Sequence, residues 1–174
     1  MRVANVGIFL LSLSFFHCLQ LIPERANVTY INKKYMEYGR LYISRYGRKS
    51  PYYINLEGII KHTWADNITM HLIFYEYLHN EYRRSFVEVH IMYCKMMKTD
   101  PYIGGMLAKH GAPCPAPPGE YKLQNMTLQG DNFPNLFPIS KGKIEVELTN
   151  TSSTETILKA YATASFVTKA KKKI

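Results

Sequence analysis

Few side chains in this 174-residue chain stand at spacings that support catalysis. The histidines after residue 20 are scattered, and no two of them have the spacing of a His-Glu-x-x-His metal motif. Glycine-rich phosphate loops and a Gly-x-Ser-x-Gly nucleophile turn are also missing from the sequence. We therefore expect a protein that is not an enzyme and that binds no cofactor and no metal. A metal site whose ligands are brought together only by the fold is the alternative. The histidines are His62, His71, His79, His90 and His110.

Carboxylates do not form an obvious acid–base pair. Glu88, Glu145 and Glu147 alternate with apolar residues, which is typical of the outward face of a strand. General acid–base catalysis needs two carboxyl groups in different environments close to one substrate. The sequence offers no support for such a pair.

Cysteine chemistry points to a crosslink and not to a nucleophile. Cys18 lies in an N-terminal segment that we expect to be removed, which leaves Cys94 and Cys114. His110 precedes Cys114 by four residues, but prolines flank this cysteine on both sides and remove backbone N–H donors. We predict a disulfide between Cys94 and Cys114, whose loop closure would stabilise the fold by roughly 3 kcal/mol.

The N-terminus resembles a secretory signal. Arg2 precedes an almost unbroken apolar run over residues 6–16, and polarity rises just after it. This run is short for a membrane span, so residues 1–20 are predicted to be a cleaved signal peptide, with an uncleaved anchor as the alternative. Sequons for N-glycosylation agree with an extracellular destination and predict surface positions. They begin at Asn27, Asn67, Asn125 and Asn150.

Composition and period indicate one all-β domain over residues 21–168. The chain is 47% apolar and 13% aromatic, with 14 tyrosines and eight phenylalanines, residues that suit a pleated surface. Ile68, Met70 and Leu72 alternate with polar residues at the period of a strand. Seven or eight strands are predicted, of which 67–78 and 86–97 form a long hairpin. They cover 28–31, 41–46, 52–60, 67–78, 86–97, 120–128, 143–149 and 156–167.

One segment has a helical period. Asp100 can cap a helix over 102–110, and Gly111 can end it. A proline-rich run over 113–118 cannot continue a helix or fill a central strand. The predicted fold is an antiparallel β-sandwich, immunoglobulin-like or cup-shaped, with one short helix in the disulfide-closed loop.

The apolar side chains are compatible with either a packed core or a cavity between the sheets. Methionine adapts to irregular spaces, and Ala160, Ala162 and Ala164 would leave room on one strand face. The helix 102–110 and the loop 133–137 would be its lids. Candidate lining residues are Phe74, Phe86, Val89, Ile91, Tyr93, Met106, Leu107, Tyr121, Leu123, Ile144, Val146, Leu148, Leu158 and Phe166.

Several short motifs resemble a family of small secreted insect proteins related to the ML-like lipid-recognition domains and to the CheB and ganglioside-activator group. The resemblance covers about residues 30–167. It implies a sandwich that holds a lipid or another hydrophobic small molecule between its sheets, in a chemosensory or pheromone-related context. The motifs are Asn80-Glu-Tyr-Arg-Arg-Ser-Phe-Val-Glu-Val-His, Asp100-Pro-Tyr-Ile-Gly-Gly, Cys114-Pro-Ala-Pro-Pro-Gly-Glu-Tyr-Lys-Leu, Asn125-Met-Thr, Phe133-Pro and Lys141-Gly-Lys-Ile, together with Cys94.

The leading functional hypothesis is a secreted, monomeric, non-catalytic carrier of a lipid or hydrocarbon-like ligand. The alternative is an extracellular protein–protein interaction module with a filled core, which would bind its partner through an exposed aromatic patch. The tyrosines available for such a patch are Tyr42, Tyr46, Tyr52, Tyr53, Tyr75 and Tyr77.

The net charge of +9 has three interpretations. Basic residues among aromatics can bind nucleic acid, but a secreted chain is not expected to meet it. An anionic membrane surface or a receptor is a better partner, and a merely solubilising surface is the plain alternative. The basic residues are concentrated in a C-terminal tail over 169–174 and in a cluster of Lys33, Lys34, Arg40, Arg45, Arg48 and Lys49.

Overall fold

The computed structural model describes residues 17–48, 50–127 and 140–170. Within them the chain forms eight strands and two short helices. In chain order these are β1 (His17–Ile31), β2 (Met36–Ser44), β3 (Tyr53–Ile60), β4 (Ile68–Leu78), β5 (Glu81–Met92), α1 (Tyr93–Thr99), α2 (Ile103–Lys109), β6 (Gly119–Met126), β7 (Lys141–Asn150) and β8 (Thr156–Ala170).

The strands form two antiparallel sheets that pack against each other. One sheet has five strands in the order β1-β8-β7-β4-β5, and the other has three in the order β2-β3-β6. All pairings within both sheets are antiparallel. The predicted antiparallel β-sandwich is therefore confirmed.

Alternation of apolar and polar side chains sets the register of the larger sheet. Leu72 of β4 lies opposite Val89 of β5 and Val146 of β7, and Val146 lies opposite Ala160 of β8. Directly opposed residues point to the same side of a sheet, so this row faces the smaller sheet. A shift of one residue would expose the whole row to water.

The core is concentrated at one end of the sandwich, which we call the closed end. Here β4 begins, β3 ends, and both helices pack against the strands. Ile68, Met96 and Ile157 are almost completely buried at this end. β2, β4 and β6 finish at the other end.

The hairpin prediction over 86–97 is wrong at its C-terminal end. β5 stops at Met92, and the helix α1 begins at Tyr93, which adds a second helix to the one predicted. The change of direction buries Met96 and brings Cys94 to Cys114, whose Cα atoms lie 5.4 Å apart. Tertiary packing and the crosslink outweigh the apolar alternation that suggested a continuing strand.

The disulfide between Cys94 and Cys114 is confirmed. It closes a loop that contains most of α1, all of α2 and the turn between them. Asp100 Oδ2 accepts a 2.6 Å hydrogen bond from the backbone N–H of Gly104 at the start of α2, close to the predicted capping position. Just after Cys114, Ala116 forms an isolated antiparallel β-bridge with Trp64, which lies in the segment between β3 and β4.

Two predicted boundaries fall inside regular structure. β1 begins at His17, within the predicted signal peptide 1–20, and β8 continues to Ala170, within the predicted basic tail 169–174. Residues 17–20 pair with residues 167–170. Residues 1–16, the lid predicted over 133–137 and residues 171–174 lie outside the described residues. No helix among the residues described here is long and apolar enough to cross a membrane.

Candidate ligand cavity between the sheets

A cavity of about 220 Å³ lies between the two sheets. Seven strands, all but β5, contribute to its wall, as do both helices and the segments around Trp64 and Ala116. The lining consists of Val28, Met36, Gly39, Arg40, Leu41, Ile54, Leu56, Glu57, Gly58, Ile60, Trp64, Met70, Leu72, Tyr93, Ile103, Met106, Leu107, Ala112, Ala116, Tyr121, Leu123, Met126, Ile144, Val146, Leu148, Leu158, Ala160 and Ala162.

Small residues lie on both sheets at this cavity. Gly39 of β2 lies directly opposite Gly58 of β3, so the smaller sheet has two neighbouring positions without side chains. Met36 packs over this pair, because a Cβ atom at either glycine would lie 3.3 Å from Met36 Cε, and one at Gly58 would lie 3.1 Å from the Tyr38 carbonyl oxygen. Ala160 and Ala162 supply small side chains on the larger sheet. Protein interiors are otherwise close-packed, so short side chains such as these two alanines leave room for a void.

The hydroxyl groups of the two lining tyrosines donate their hydrogen bonds to backbone carbonyls. The Tyr93 hydroxyl donates to the Pro113 carbonyl at 3.0 Å, and the Tyr121 hydroxyl donates to the Pro117 carbonyl at 2.6 Å. Burial raises the pKa of Tyr93 to about 12, with a smaller contribution from Tyr121. This phenol is therefore neutral at physiological pH, and the wall has the character of hydrocarbon.

The two charged lining residues are engaged on the outer side of the smaller sheet. Glu57 Oε1 accepts a 2.8 Å hydrogen bond from the Tyr42 hydroxyl, and the Arg40 guanidinium lies 4.4 Å from the centre of the Tyr42 ring. Arg40 and Glu57 are opposed in register, next to the inward-facing glycine pair. Alternation along the strands directs their charged groups away from the space between the sheets.

Trp64 is the lining residue with an unused polar atom. Its Nε1 is buried and has no hydrogen-bond partner among the described residues. Its ring meets the Tyr93 ring edge to face, with centroids 6.1 Å apart. The buried nitrogen is covered by neighbouring atoms, so it presents no donor surface to a ligand.

The helices close one side of the sandwich. α1 contacts β4 and β5 of the larger sheet, and α2 contacts β6 of the smaller sheet, so the pair bridges the two. Ile103, Met106 and Leu107 of α2 line the cavity. The helix predicted as a lid thus forms part of the wall, and the disulfide ties the segment after it, at Cys114, to Cys94 of α1.

The structure brings nine of the fourteen predicted lining residues to the cavity wall. Most of them were expected from inward-facing strand positions. The nine are Tyr93, Met106, Leu107, Tyr121, Leu123, Ile144, Val146, Leu148 and Leu158.

The other five lie outside the cavity, and the edge strand β5 explains three of them. Phe86 is 94% exposed and Val89 is 39% exposed, whereas Ile91 is half-buried against the core. Between the pairs Ile73–Glu88 and Tyr75–Arg84, β5 has two more residues than β4. An excess of two residues leaves the alternation of faces unchanged, so Phe86 shares the outward face of β5 with Arg84 and Glu88, and no β5 residue lines the cavity.

Phe74 and Phe166 also lie outside the cavity, although both stand on inward-facing strand positions. Phe74 is opposite Ile144, which marks the limit of the lining on β7. Phe166 lies four residues beyond Ala162 on β8, and its backbone N–H donates to Ser140 O at 2.8 Å. Both are beyond the part of each strand that reaches the cavity.

Sequence reasoning missed the contribution of β2 and β3. Met36, Leu41, Ile54 and Leu56 line the cavity, as does the glycine pair. A glycine inside a strand often marks a close approach by a ligand or by another backbone. Gly39 and Gly58 carried that signal, but only the pairing of β2 with β3 places them opposite each other.

The remaining predicted surface features are distributed over the molecule. Tyr46 is 73% exposed and Tyr52 is 36% exposed. Tyr42 and Tyr75 are half-buried and donate hydrogen bonds to Glu57 and Glu145. The tyrosines considered for an aromatic patch therefore do not form one continuous exposed surface.

The sequon asparagines are accessible to different degrees. Asn27, Asn67 and Asn125 are exposed, whereas Asn150 is half-buried and its Oδ1 accepts hydrogen bonds from the backbone N–H groups of the following turn. Glycan attachment at these positions stays a prediction.

The fold assembles one pair of histidines that the sequence keeps apart. His71 of β4 and His90 of β5 are opposed in register, and their Nδ1 atoms lie 2.7 Å apart. Within the described part of the chain, no group of three or more His, Cys, Asp or Glu side chains has a geometry that could hold a metal ion.

A scan against protein-family models and a search of curated proteins find no match to this chain. Its function must therefore be argued from the geometry of the cavity.

Proposed function

We propose that this chain is a secreted, non-catalytic binding protein that holds a lipid or another hydrophobic small molecule between its two sheets. The observation that supports this proposal is the cavity of about 220 Å³ with an almost wholly apolar wall. Ligand sites are concave, mostly apolar and largely preformed, and this cavity has all three properties. Burial of apolar ligand surface would contribute about 25 cal/mol per Å².

Secretion is supported by the Cys94–Cys114 disulfide, because such bonds persist mainly in oxidising compartments. The apolar run over 6–16 and the exposed sequon asparagines agree with it. Expression of the full chain in insect or mammalian cells tests this part: the processed protein should appear in the medium, and its retention in the cell would count against it.

Ligand binding is tested in two steps. Protein purified from a eukaryotic secretion host is extracted with organic solvent, and the extract is examined by mass spectrometry for co-purified apolar molecules. The extracted protein is then titrated with the fluorescent probe N-phenyl-1-naphthylamine. We expect saturable probe binding and displacement by apolar competitors. A protein that carries nothing and takes up no probe would overturn the proposal.

A second candidate function is recognition of a partner protein, and one residue favours it. Phe86 is 94% exposed on the edge strand β5, and a large aromatic residue so exposed is a common interface anchor. Saturable binding of labelled protein to cell surfaces, lost in Phe86→Ser while probe uptake persists, would support this function. Equal surface binding by wild type and Phe86→Ser would count against it.

A further inference from the structure

The cavity wall presents almost no polar surface with which a polar ligand group could pair. The hydroxyls of Tyr93 and Tyr121 already donate to the proline carbonyls at positions 113 and 117. The carboxylate of Glu57 is occupied by Tyr42, and Trp64 Nε1 is covered by its neighbours. All other lining side chains are aliphatic, thioether or guanidinium, and the guanidinium lies over the Tyr42 ring.

This wall separates ligands by polarity. A carboxylate or hydroxyl buried without a partner loses its hydrogen bonds to water, which weakens binding by roughly fivefold to a hundredfold for a neutral group and by more for a charged one. A methylene group buried in the same place strengthens binding by about fourfold. The selectivity of the cavity is therefore opposite to that of a fatty-acid site, which supplies a cation or a set of donors for the head group.

The size of the cavity adds a second restriction. Its volume of about 220 Å³ is below the roughly 300–1,000 Å³ of typical drug-sized sites. It is larger than the dry cavity of roughly 150 Å³ that accepts benzene in an engineered protein. A cavity of this volume can hold one short chain or a small ring system, but it is too small to enclose the two acyl chains of a membrane lipid.

From these two restrictions we propose that the ligand is a small neutral hydrocarbon, either an unbranched chain or a compact terpene-like skeleton, without a hydrogen-bonding group inside the cavity. This inference rests on the proposed function, because it names the ligand class of the same cavity. It differs from lipid binding in general, since it places free fatty acids and two-chain lipids among the poor ligands.

A competition series with one chain length and three head groups tests the proposal. The purified, extracted full chain is loaded with N-phenyl-1-naphthylamine and titrated at neutral pH with octane, 1-octanol or octanoate. We expect octane to displace the probe best. Octanoate should bind at least about tenfold more weakly than octane, because burying its carboxylate without a partner lowers the affinity.

The possible outcomes separate the two proposals. Displacement by octanoate as strong as that by octane would overturn the hydrocarbon proposal and leave the binding function standing. A chain that takes up no probe would overturn the binding function and the ligand class with it. Displacement in the order octane, 1-octanol, octanoate supports both.

A polar isostere in the wall provides a second test that does not depend on one competitor. Val146 is half-buried and lines the cavity, and Val146→Thr keeps its shape but adds a hydroxyl. The variant should lower the preference for octane over 1-octanol by several-fold. Val167→Thr, on an exposed position of β8 outside the wall, is the matched control and should leave the ratio unchanged. An unchanged ratio in a folded Val146→Thr variant would contradict the proposal.

Discussion

His71 and His90 face each other across β4 and β5, with 2.7 Å between their Nδ1 atoms. This distance requires at least one neutral ring, because two imidazolium ions would repel each other and neither would have a lone pair to accept. His71 Nε2 also lies 2.9 Å from Thr149 Oγ1 on β7. The pair therefore links three neighbouring strands of the larger sheet.

The histidine pair should make the fold sensitive to mild acid. Burial lowers the pKa of His71 below its ordinary value of 6.5, a positive charge on His90 lowers it further, and Glu147 opposes the shift. Glu88 faces His90 from the same strand, with its Oε2 3.5 Å from His90 Nε2. The unfolded chain binds a proton more readily than the folded one, so stability is complete above pH 6.5 and decreases as the pH falls through the lowered value.

Urea unfolding at several pH values between about 7.5 and 5 measures this effect. We expect the free energy of unfolding of the wild type to fall with pH, and His71→Gln to show a smaller decrease. His79→Gln, in the exposed hairpin turn, is the control and should follow the wild type. The same pH dependence in His71→Gln and wild type would exclude this pair as its source.

The stability of the fold should decrease a second time in stronger acid, where Glu155 becomes protonated. Its carboxylate oxygens accept hydrogen bonds from Lys34 Nζ at 2.8 Å, Tyr35 Oη at 2.7 Å and Asn32 Nδ2 at 3.1 Å. These partners, Lys34 above all, lower the pKa of Glu155 from 4.5 to about 2. The stabilisation is present above 4.5 and is lost as the pH falls through about 2, because protonation removes the acceptor charge.

We expect Glu155→Gln to be less stable than wild type at neutral pH, and the difference to shrink between pH 4.5 and 2. Circular dichroism during acid titration measures it, with the exposed Glu37→Gln as the control. A difference that stays constant across this range would show that charge is not its cause.

Substitution of the two adjacent glycines of α2, Gly104 and Gly105, should change the stability of the protein by different amounts. A Cβ atom at Gly104 would collide with the Met96 carbonyl of α1, whereas one at Gly105 would lie 3.4 Å from Asp100 O, an ordinary contact. Gly104→Ala should therefore destabilise the protein by about 1–3 kcal/mol through overpacking. Gly105→Ala should be neutral or stabilise it by up to about 1 kcal/mol through helix propensity. Chemical denaturation compares them, and equal effects would show that the helices do not need this close approach.

Filling the cavity should abolish ligand uptake without unfolding the chain. Ala162 is half-buried on the wall, and Ala162→Phe would extend a ring into the space between the sheets. We expect about tenfold weaker binding of N-phenyl-1-naphthylamine, or none, because the ring occupies the ligand's volume. Ala108→Phe, on the exposed side of α2, is the control. Unchanged uptake in a folded Ala162→Phe variant would place the probe elsewhere.

Local periodicity was enough to predict most of the fold. The alternation of Ile68, Met70 and Leu72 predicted β4 and its buried face, and the same pattern located β7 and β8. Two cysteines in a predicted oxidising compartment were enough for the disulfide. The strands depend on residues that are close in the sequence, and two cysteines can form only one intramolecular pair. The sequence alone therefore determines these features.

Contacts between distant residues decided the rest. Whether the inward-facing Val89 is covered depends on the smaller sheet, whose three strands leave the edge strand β5 of the five-stranded sheet partly exposed. Whether the chain continues as a strand after Met92 depends on where Met96 and Cys94 can pack. The cavity lies where apolar residues of β2, β3 and β6 face those of β4, β7 and β8. Each strand carries only part of that wall, so only the register and packing of the two sheets could reveal the space between them.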